Sequence, residues 1–444
     1  MAQNALAAQA EHWPFPTYSL TDRSGSTLVI EFGQSISSWP PRIYRINQRS
    51  TKLPNFGSDG SKLAELSHYA QDLIMLIGIP KEIKNHEYRV AVTPAGVRQL
   101  VHAGHTVRVQ TGAAARIGYQ DNDYISSGAE IATTAKSVYA ADLIVKVKEP
   151  QPEEVALLHE DQIVFSYLHL AAEPELTRGL LDKKIAGVAF ETVTDSSGGL
   201  PLLAPMSALA GRIAVQAGAQ ALTMAGGGRG VLLPGVPGVA PGRVVIIGGG
   251  TVGMNAAQVA SGMGAEVVLL DRNPQKLAFI DQVFHGRIKT ILSTPESVAK
   301  WSACADLLIG AVLIPGARAP HLLTRAHMAA MSDGSAFVDV SIDQGGIAET
   351  SRPTTHDQPT YIEEGVVHYC VTNMPAACAR TATQALAPLV LPHAQALANQ
   401  GLAALAEDPG LLAGLNLCRG QITHPAVAAE LNMSYVKASK ILNP

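Results

Sequence analysis

Residues 244–253 have the sequence VVIIGGGTVG. An apolar run, Val244–Ile247, leads directly into Gly248, Gly250 and Gly253, which have G-x-G-x-x-G spacing. The run predicts a buried strand. The glycines predict a tight turn, a close backbone approach to a ligand and close helix packing. Because free N–H groups and the helix dipole favour anions at a helix N-terminus, the stretch predicts a dinucleotide pyrophosphate site.

The residues after the glycines support this interpretation. An amphipathic helix over Asn255–Met263 is followed by a second strand, Glu266–Leu270, which ends at Asp271. An acid about 20 residues after the glycines is expected to bind ribose hydroxyls and to repel a 2′-phosphate. We therefore predict NAD as the cofactor. Arg272 would soften that repulsion, which keeps NADP open as an alternative.

Strands and helices alternate on both sides of this unit. The same pattern predicts strands at Ile77–Ile79, Thr106–Gln110, Leu143–Val147, Ile163–Tyr167, Ile185–Phe190, Asp306–Leu313, Ser335–Val340 and Val366–Val371. Thr93 and Pro94 predict a helix start, and Gly104 its end. Residues 380–404 are Ala-rich and mostly helical, with Pro388 and Pro392 expected to bend or interrupt the helix.

Strands that alternate with helices predict an α/β protein with parallel sheets. A Gly/Pro-rich stretch, 226–242, separates two such series. We expect two doubly wound Rossmann-like domains around a cleft, linked by long helices. The predicted division is a discontinuous substrate and catalytic domain, residues 75–203 plus 380–444, and an NAD-binding domain, residues 204–379.

Residues 1–74 differ from the rest of the chain. They are rich in Pro, Ser and polar residues, and only Thr27–Phe32 resembles a strand. The regular alternation begins at Met75. We interpret 1–74 as a translated leader or a dispensable, disordered arm; a small extra subdomain is the alternative.

The composition narrows the class of protein. The formal net charge of −4, with no basic run, argues against a nucleic-acid partner. No apolar run reaches the length of a membrane span. Four scattered cysteines, without zinc-like spacing, suggest neither a disulfide scaffold nor a metal site and favour the cytoplasm.

Polar residues gather just after the predicted strands, where open α/β sheets bind ligands. Arg89 could bind a carboxylate through its planar fork, and Lys148 could supply a second cation. His169 titrates near neutrality and could exchange protons with an amine or oxygen. Asp343 could activate water, and Asn373 follows the last predicted strand. This set fits the oxidation of an amino acid.

Each of these residues also has a purely structural interpretation. Lys146 and Lys148 point to the same face of one strand, so either could be a solvated strand-end lysine. His169 lies among apolar neighbours and could be a satisfied core residue. Arg89 and Asp343 could be partners in surface ion pairs.

Segments in collinear order over 75–444 carry a family resemblance. They are Gly78–Glu82 (GIPKE), Glu87–Ala91 (EYRVA), Lys146–Pro150 (KVKEP), Leu168–Ala172 (LHLAA), Leu202–Ser207 (LLAPMS), Ile342–Gly346 (IDQGG), Ser351–Thr355 (SRPTT) and Asn373–Pro375 (NMP). With the glycine loop and Asp271, they resemble the alanine dehydrogenase family, which is related to the nucleotide-binding subunit of proton-translocating transhydrogenase. Gly249, where such enzymes often carry alanine, lies at a position expected to be unconstrained.

The resemblance implies roles for particular residues. Arg89 and Lys148 would bind the substrate, and His169 and Asp343 would be the catalytic pair. The residues expected at the cofactor are Met206, Ser207, Val312, Asn373 and Met374, besides the glycine loop and Asp271. It also implies a hexamer that converts L-alanine, water and NAD reversibly to pyruvate, ammonia and NADH.

Three other functions stay open at this point. One is a dehydrogenase of another amino acid, for example in lysine metabolism. Another is the transhydrogenase NAD-binding subunit, although Glu191–Ser207 does not resemble its arginine-bearing loop. The third is a non-catalytic nucleotide-binding protein, which the four polar candidates disfavour.

Overall fold

The computed structural model describes residues 74–312 and 319–442, together with the backbone of three strands nearer the N-terminus. These are β1 (Tyr18–Thr21), β2 (Thr27–Phe32) and β3 (Ile43–Ile46), which form an antiparallel sheet in the order β1-β2-β3. Strand β2 coincides with the one predicted from the sequence. Apart from these three strands and residue 74, the residues interpreted as a leader or a dispensable arm, 1–74, lie outside the described residues.

The first large sheet uses strands from both ends of residues 74–442. Its order is β18-β17-β9-β8-β7-β4-β5-β6. Strands β4 to β9 pair in parallel, whereas β17 pairs antiparallel with β9 and β18. The bounds are β4 (Leu76–Ile79), β5 (Thr106–Gln110), β6 (Glu130–Ala132), β7 (Leu143–Val145), β8 (Ile163–Ser166), β9 (Ala186–Ala189), β17 (Leu415–Cys418) and β18 (Gln421–Ile422).

Short helices connect these strands. The predicted start of the first helix is confirmed, because the Thr93 side chain accepts the Gly96 N–H at 3.4 Å and Pro94 is the first helical residue. Gly104, in the left-handed region, follows its end. The bounds are α1 (Pro94–His102), α2 (Asp121–Ile125), α3 (Ala135–Val138), α4 (Pro152–Leu157), α5 (Pro174–Asp182), α12 (Ala404–Glu407), α13 (Pro409–Ala413), α14 (Pro425–Leu431) and α15 (Ala438–Leu442).

The second large sheet contains the glycine fingerprint. Its order is β12-β11-β10-β13-β14-β16-β15, parallel except for β15 against β16. The strands are β10 (Arg243–Ile247), β11 (Glu266–Asp271), β12 (Lys289–Leu292), β13 (Leu307–Gly310), β14 (Ala336–Asp339), β15 (Thr360–Glu363) and β16 (Val366–Tyr369). The helices between them are α7 (Thr251–Gly262), α8 (Pro274–Phe284), α9 (Pro295–Ala303) and α10 (Arg325–Ala329).

Both sheets are covered on two faces. In β10, Ile246 packs into the core that contains Ala256 of α7, whereas Val245 packs into the core that contains Met328 of α10. The same division occurs in β8, between Val164 and its neighbour Phe165. Side chains that alternate along a strand point to opposite faces, so helices lie on both sides of each sheet. The doubly wound fold is confirmed.

Two long helices, α6 (Ala204–Ala221) and α11 (Ala379–Gln400), lie in sequence between the two sheets. Of the bend or interruption predicted at Pro388 and Pro392, the interruption does not occur, since one helix runs through both. Each proline removes one helical hydrogen bond. The helix continues through this stretch, where neighbouring side chains such as Leu386 and Val390 are buried.

The predicted parallel sheets are confirmed for most strands, and each sheet also has antiparallel strands at one edge. Strands β15 and β16 form a hairpin through Glu364 and Gly365, which both have positive φ, and a two-residue turn of this kind imposes antiparallel pairing. At the other sheet, β17 pairs antiparallel with β9. That pairing supports the division into 75–203 with 380–444 against 204–379, which stays a proposal.

Candidate active site

The turn after β10 requires two of its glycines. Gly248 has φ +107°, and a Cβ there would overlap the carbonyl of Ala311. A Cβ at Gly253 would overlap the carbonyl oxygen of Gly248, across the turn. A Cβ at Gly250, which caps α7, would meet nothing within 4 Å. The space above the N-terminus of α7 is therefore open, as a bound pyrophosphate requires.

Asp271 lies at the end of β11, beside this turn. Its Oδ2 accepts the N–H of Gly249 at 2.7 Å, and its Oδ1 accepts the N–H of Asn273 at 2.8 Å. A carboxylate oxygen has a second lone pair, so ribose hydroxyls can still be bound. These residues fit the adenosine half of NAD.

Position 249 is more confined than expected. A Cβ added to Gly249 would lie 2.9 Å from Cδ1 of Ile280 and 3.2 Å from Oδ2 of Asp271. The first contact is with the end of a flexible side chain, so alanine would need only a small shift. The expectation that the position is unconstrained is wrong.

Arg89 lies buried in the loop after β4, with only 2% of its side chain exposed. Its Nε donates to Oε1 of Glu87 at 2.7 Å, and its Nη2 donates to Oε2 at 2.6 Å. Burial alone would raise the pKa of Glu87, but the charge and hydrogen bonds of Arg89 lower it to about 2. The alternative of a surface ion pair is therefore wrong for Arg89.

The Arg89 pair also binds residues from the part of the chain that follows residue 203. Nη2 of Arg89 donates to Oδ1 of Asn373 at 2.6 Å, and Nδ2 of Asn373 donates to Oε2 of Glu87 at 2.8 Å. Nη1 of Arg89 lies 3.2 Å from Sδ of Met206. Three predicted site residues, Arg89, Met206 and Asn373, are thus in direct contact.

The two candidate lysines have different environments, and neither is solvated. Nζ of Lys146, fully buried, lies 2.8 Å from Glu82, 3.3 Å from Glu154 and 2.9 Å from the carbonyl of Lys148. Lys146 therefore serves the core. Lys148 is 8% exposed, and its Nζ lies 3.0 Å from Oε2 of Glu149.

Glu149 connects Lys148 with a second cation, Lys84, which it also pairs with. Burial alone would raise the pKa of Glu149. The charges of Lys148 and Lys84 instead hold it at about 2, with a smaller contribution from His169. Glu149 thus stays ionised between Lys148 and His169.

His169 lies in the loop after β8 and is 38% exposed at its side chain, so the interpretation as a core histidine is wrong. Its ring stacks on Tyr167, with centroids 5.8 Å apart and an interplanar angle of 7°. The hydroxyl of Tyr167 donates to the carbonyl of Leu202 at 2.6 Å. The ring of His169 therefore rests on a fixed platform, with Nδ1 3.9 Å from Oε1 of Glu191.

Asp343 is placed apart from these residues. It is exposed in the short turn Ile342–Gln344, after β14. Within 74–312 and 319–442, its carboxylate makes no hydrogen bond or ion pair. The predicted catalytic pair, His169 and Asp343, is not joined by a contact.

The loop that carries Asp343 is held by Asp339, a buried residue that the sequence analysis missed. Its oxygens accept the N–H groups of Ser341 at 3.0 Å and Ile347 at 2.8 Å, and the Ser351 hydroxyl at 2.6 Å. Only its place at a strand end could have indicated it.

The remaining cofactor candidates occupy three positions near the second sheet. Ser207 is half-buried on α6, and Met374 is buried in the core of the second sheet. The backbone of Val312 exchanges hydrogen bonds with the Ser341 hydroxyl, at 3.1 and 2.7 Å.

Within the described residues, no helix combines the length and apolar character needed to cross a membrane.

The fingerprint and the buried Arg89 cluster define a two-sheet dinucleotide-binding protein with a second, polar site formed by Arg89, Glu87 and Asn373. Models of the N-terminal and C-terminal domains of the alanine dehydrogenase/PNT family match residues 78–210 and 214–425. The chain belongs to that family.

Several individual proteins are similar to this chain. Alanine dehydrogenase of Halomonas elongata is 55% identical over 370 residues, which are 83% of this chain and 100% of that protein. The Bacillus subtilis alanine dehydrogenase is 52% identical, over 83% and 98%. A solved L-alanine dehydrogenase superposes with a TM-score of 0.78 at 50% identity, over 81% of this chain and 99% of that one. The transhydrogenase of Sinorhizobium meliloti, at 24% identity and a TM-score of 0.68, shares the fold.

Proposed function

We propose that this chain catalyses the reversible NAD-dependent oxidative deamination of L-alanine. L-alanine, NAD⁺ and water become pyruvate, ammonium, NADH and a proton. The observation that carries the proposal is the contact of buried Arg89 with Met206 and Asn373, because it joins a carboxylate-binding group to two residues expected beside the cofactor.

The substrate carboxylate would bind to Arg89. Glu87 already occupies the Nε and Nη2 edge of the guanidinium, which leaves the edge formed by Nη1 and the other Nη2 hydrogen. Asn373 accepts from that edge, so an incoming carboxylate would share or displace this contact. Lys148 would hold the second carboxylate oxygen or the keto oxygen.

NAD, when bound by the fingerprint and Asp271, supplies the acceptor for the hydride that leaves the substrate Cα. His169 would take a proton from the ammonium group before that transfer, and later return it to the departing amine. Asp343 would orient and deprotonate the water that attacks the substrate imine. Because Asp343 is exposed and unpaired in the described residues, this role requires its turn to approach the substrate.

The test is a substrate panel with the full chain. NADH formation is followed with L-alanine, with other L-amino acids including L-lysine, and with NADP in place of NAD. We expect L-alanine with NAD to give the highest kcat/KM, and pyruvate with ammonium to support the reverse reaction. Preference for another amino acid, or hydride exchange between NADPH and an NAD analogue without an amino acid, would contradict the proposal.

We also propose a cytoplasmic homo-oligomer, a hexamer by family resemblance. The native mass, measured by light scattering, is then expected near six times the chain mass of 46.6 kDa. A mass equal to one chain would contradict this. Cell fractionation would test the location.

A further inference from the structure

Glu191 is the acidic residue next to the loop that carries His169. It lies in the short turn Phe190–Thr192, directly after β9. Strand β9 is the parallel neighbour of β8, which leads into His169. Because parallel strands end at the same edge of a sheet, the two loops meet there.

The Glu191 carboxylate binds the backbone of that loop. Oε1 accepts the N–H of His169 at 2.6 Å, and both oxygens lie 3.2 Å from the N–H of Leu168. His169 has φ +49°, in the left-handed region that disfavours side chains with a Cβ. The two backbone bonds therefore stabilise an unfavourable turn, and this turn aims the imidazole away from the core.

The same carboxylate also faces the imidazole. Oε1 of Glu191 lies 3.9 Å from Nδ1 of His169, while the ring rests on Tyr167. The other titratable groups that interact with this loop include Glu149, which interacts with His169, and the half-buried His424, which interacts with Glu191 and whose pKa is lowered by burial. Glu191 is 14% exposed at its side chain, so it is poorly screened by solvent.

We propose that Glu191 is the positioning residue of His169: it holds the left-handed turn that presents the imidazole, and its charge faces the ring nitrogen. This rests on the proposed function, in which His169 moves the proton. Where a carboxylate orients a metal-bound histidine, its loss typically costs about 10- to 100-fold in activity, and we take the same range for Glu191.

Two variants separate the two contributions. Glu191→Ala removes both the backbone acceptor and the charge. Glu191→Gln keeps a carbonyl oxygen for the His169 N–H and removes the charge. We expect kcat to fall about 10- to 100-fold in Glu191→Ala and less in Glu191→Gln. The Michaelis constant for NAD should stay within about twofold in both, because the fingerprint is untouched.

Glu160→Gln is the matched control. Glu160 is exposed, pairs with Lys184 and lies in the same part of the chain, so its kcat should equal that of the wild type. Partial rescue by glutamine, at an unchanged melting temperature, supports the role of Glu191. If Glu191→Ala does not fold, the test rests on Glu191→Gln. In that variant, a lower kcat at the melting temperature of the wild type supports the proposal. A wild-type kcat overturns it.

Two further outcomes overturn the proposal. One is a wild-type kcat in a folded Glu191→Ala. The other is a loss of NAD affinity and melting temperature parallel to the loss of kcat in both variants, which would mean a general structural role. These results differ from a failure of the proposed function, in which the wild type itself would not turn over L-alanine.

Discussion

Replacing Glu87 with glutamine would remove the charge opposite Arg89 while preserving shape. The Glu87 side chain is 0% exposed, and both of its oxygens accept from Arg89. One oxygen also accepts from Asn373. The amide that replaces the carboxylate would present an N–H group to a donor of Arg89, and a buried guanidinium would be left without a counter-charge.

The expected loss of stability follows from the pKa of Glu87. Burial works against the charged form, but Arg89 lowers the pKa from 4.5 to about 2. At about 1.4 kcal/mol per unit, this shift corresponds to about 3 kcal/mol of folding free energy. A carboxyl whose pKa is lower in the folded state stabilises fully above its unfolded pKa, near 4.5, and this stabilisation is lost as the pH falls toward 2. Removing one partner of a buried pair typically costs about 3–5 kcal/mol, in the same range.

Urea unfolding of both proteins at pH 7 and pH 3, at one protein concentration, measures this directly. At pH 7, Glu87→Gln should be less stable than the wild type by about 3 kcal/mol. At pH 3, the difference should fall to less than half of that value. Glu130→Gln is the control, because Glu130 pairs with Arg108 at 55% exposure and such pairs contribute less than about 1 kcal/mol. A difference below about 1 kcal/mol for Glu87→Gln, equal at both pH values, would show that the charge of Glu87 does not stabilise the fold through Arg89.

Five other substitutions test the site. Arg89→Lys should raise the Michaelis constants for alanine and pyruvate more than it lowers kcat, because it loses the planar fork; equal constants would contradict the carboxylate role. Asp271→Ala should weaken NAD binding and improve relative use of NADP, measured by the Michaelis constants for both cofactors and by the fluorescence of bound NADH; unchanged constants would contradict the assigned role. Gly253→Ala should abolish NAD binding or folding, since its Cβ would overlap the turn; an NAD affinity equal to that of the wild type would be inconsistent with this. His169→Asn and Asp343→Asn should each lower kcat about 10²- to 10⁴-fold while NAD still binds, and near wild-type turnover in either would remove that residue from the mechanism.

The sequence predicted best what is determined locally. The glycine fingerprint can be recognised from sequence because its three glycines lie close together in the chain. For example, a Cβ at Gly253 would overlap the carbonyl oxygen of Gly248, five residues earlier. The start of α1 is equally local, since Thr93 caps an N–H only three residues away. The ends of β7 and β8 were readable to within about two residues for the same reason, whereas β13 ends three residues before its predicted end.

Contacts between distant segments could not be predicted in this way. Arg89 was identified as a carboxylate binder, but its contact with Asn373, 284 residues away, depends on how the segments pack. The pairing of β17 with β9 is similar, because four residues that return from the C-terminal helices carry no signal for their partner. The rule that ligands bind at the ends of parallel strands correctly placed Asp343 in a loop. That rule identifies the edge of the sheet on which a residue lies, but it does not predict whether Asp343 contacts His169.

In the proposed reaction, hydride passes from Cα of L-alanine to NAD. The most direct measurement is turnover of L-[2-²H]alanine with NAD and the full chain, followed by mass spectrometry of the reduced cofactor. We predict one deuterium in each reduced cofactor and one pyruvate for each. Unlabelled NADH, or no L-alanine turnover at all, would contradict the proposed reaction.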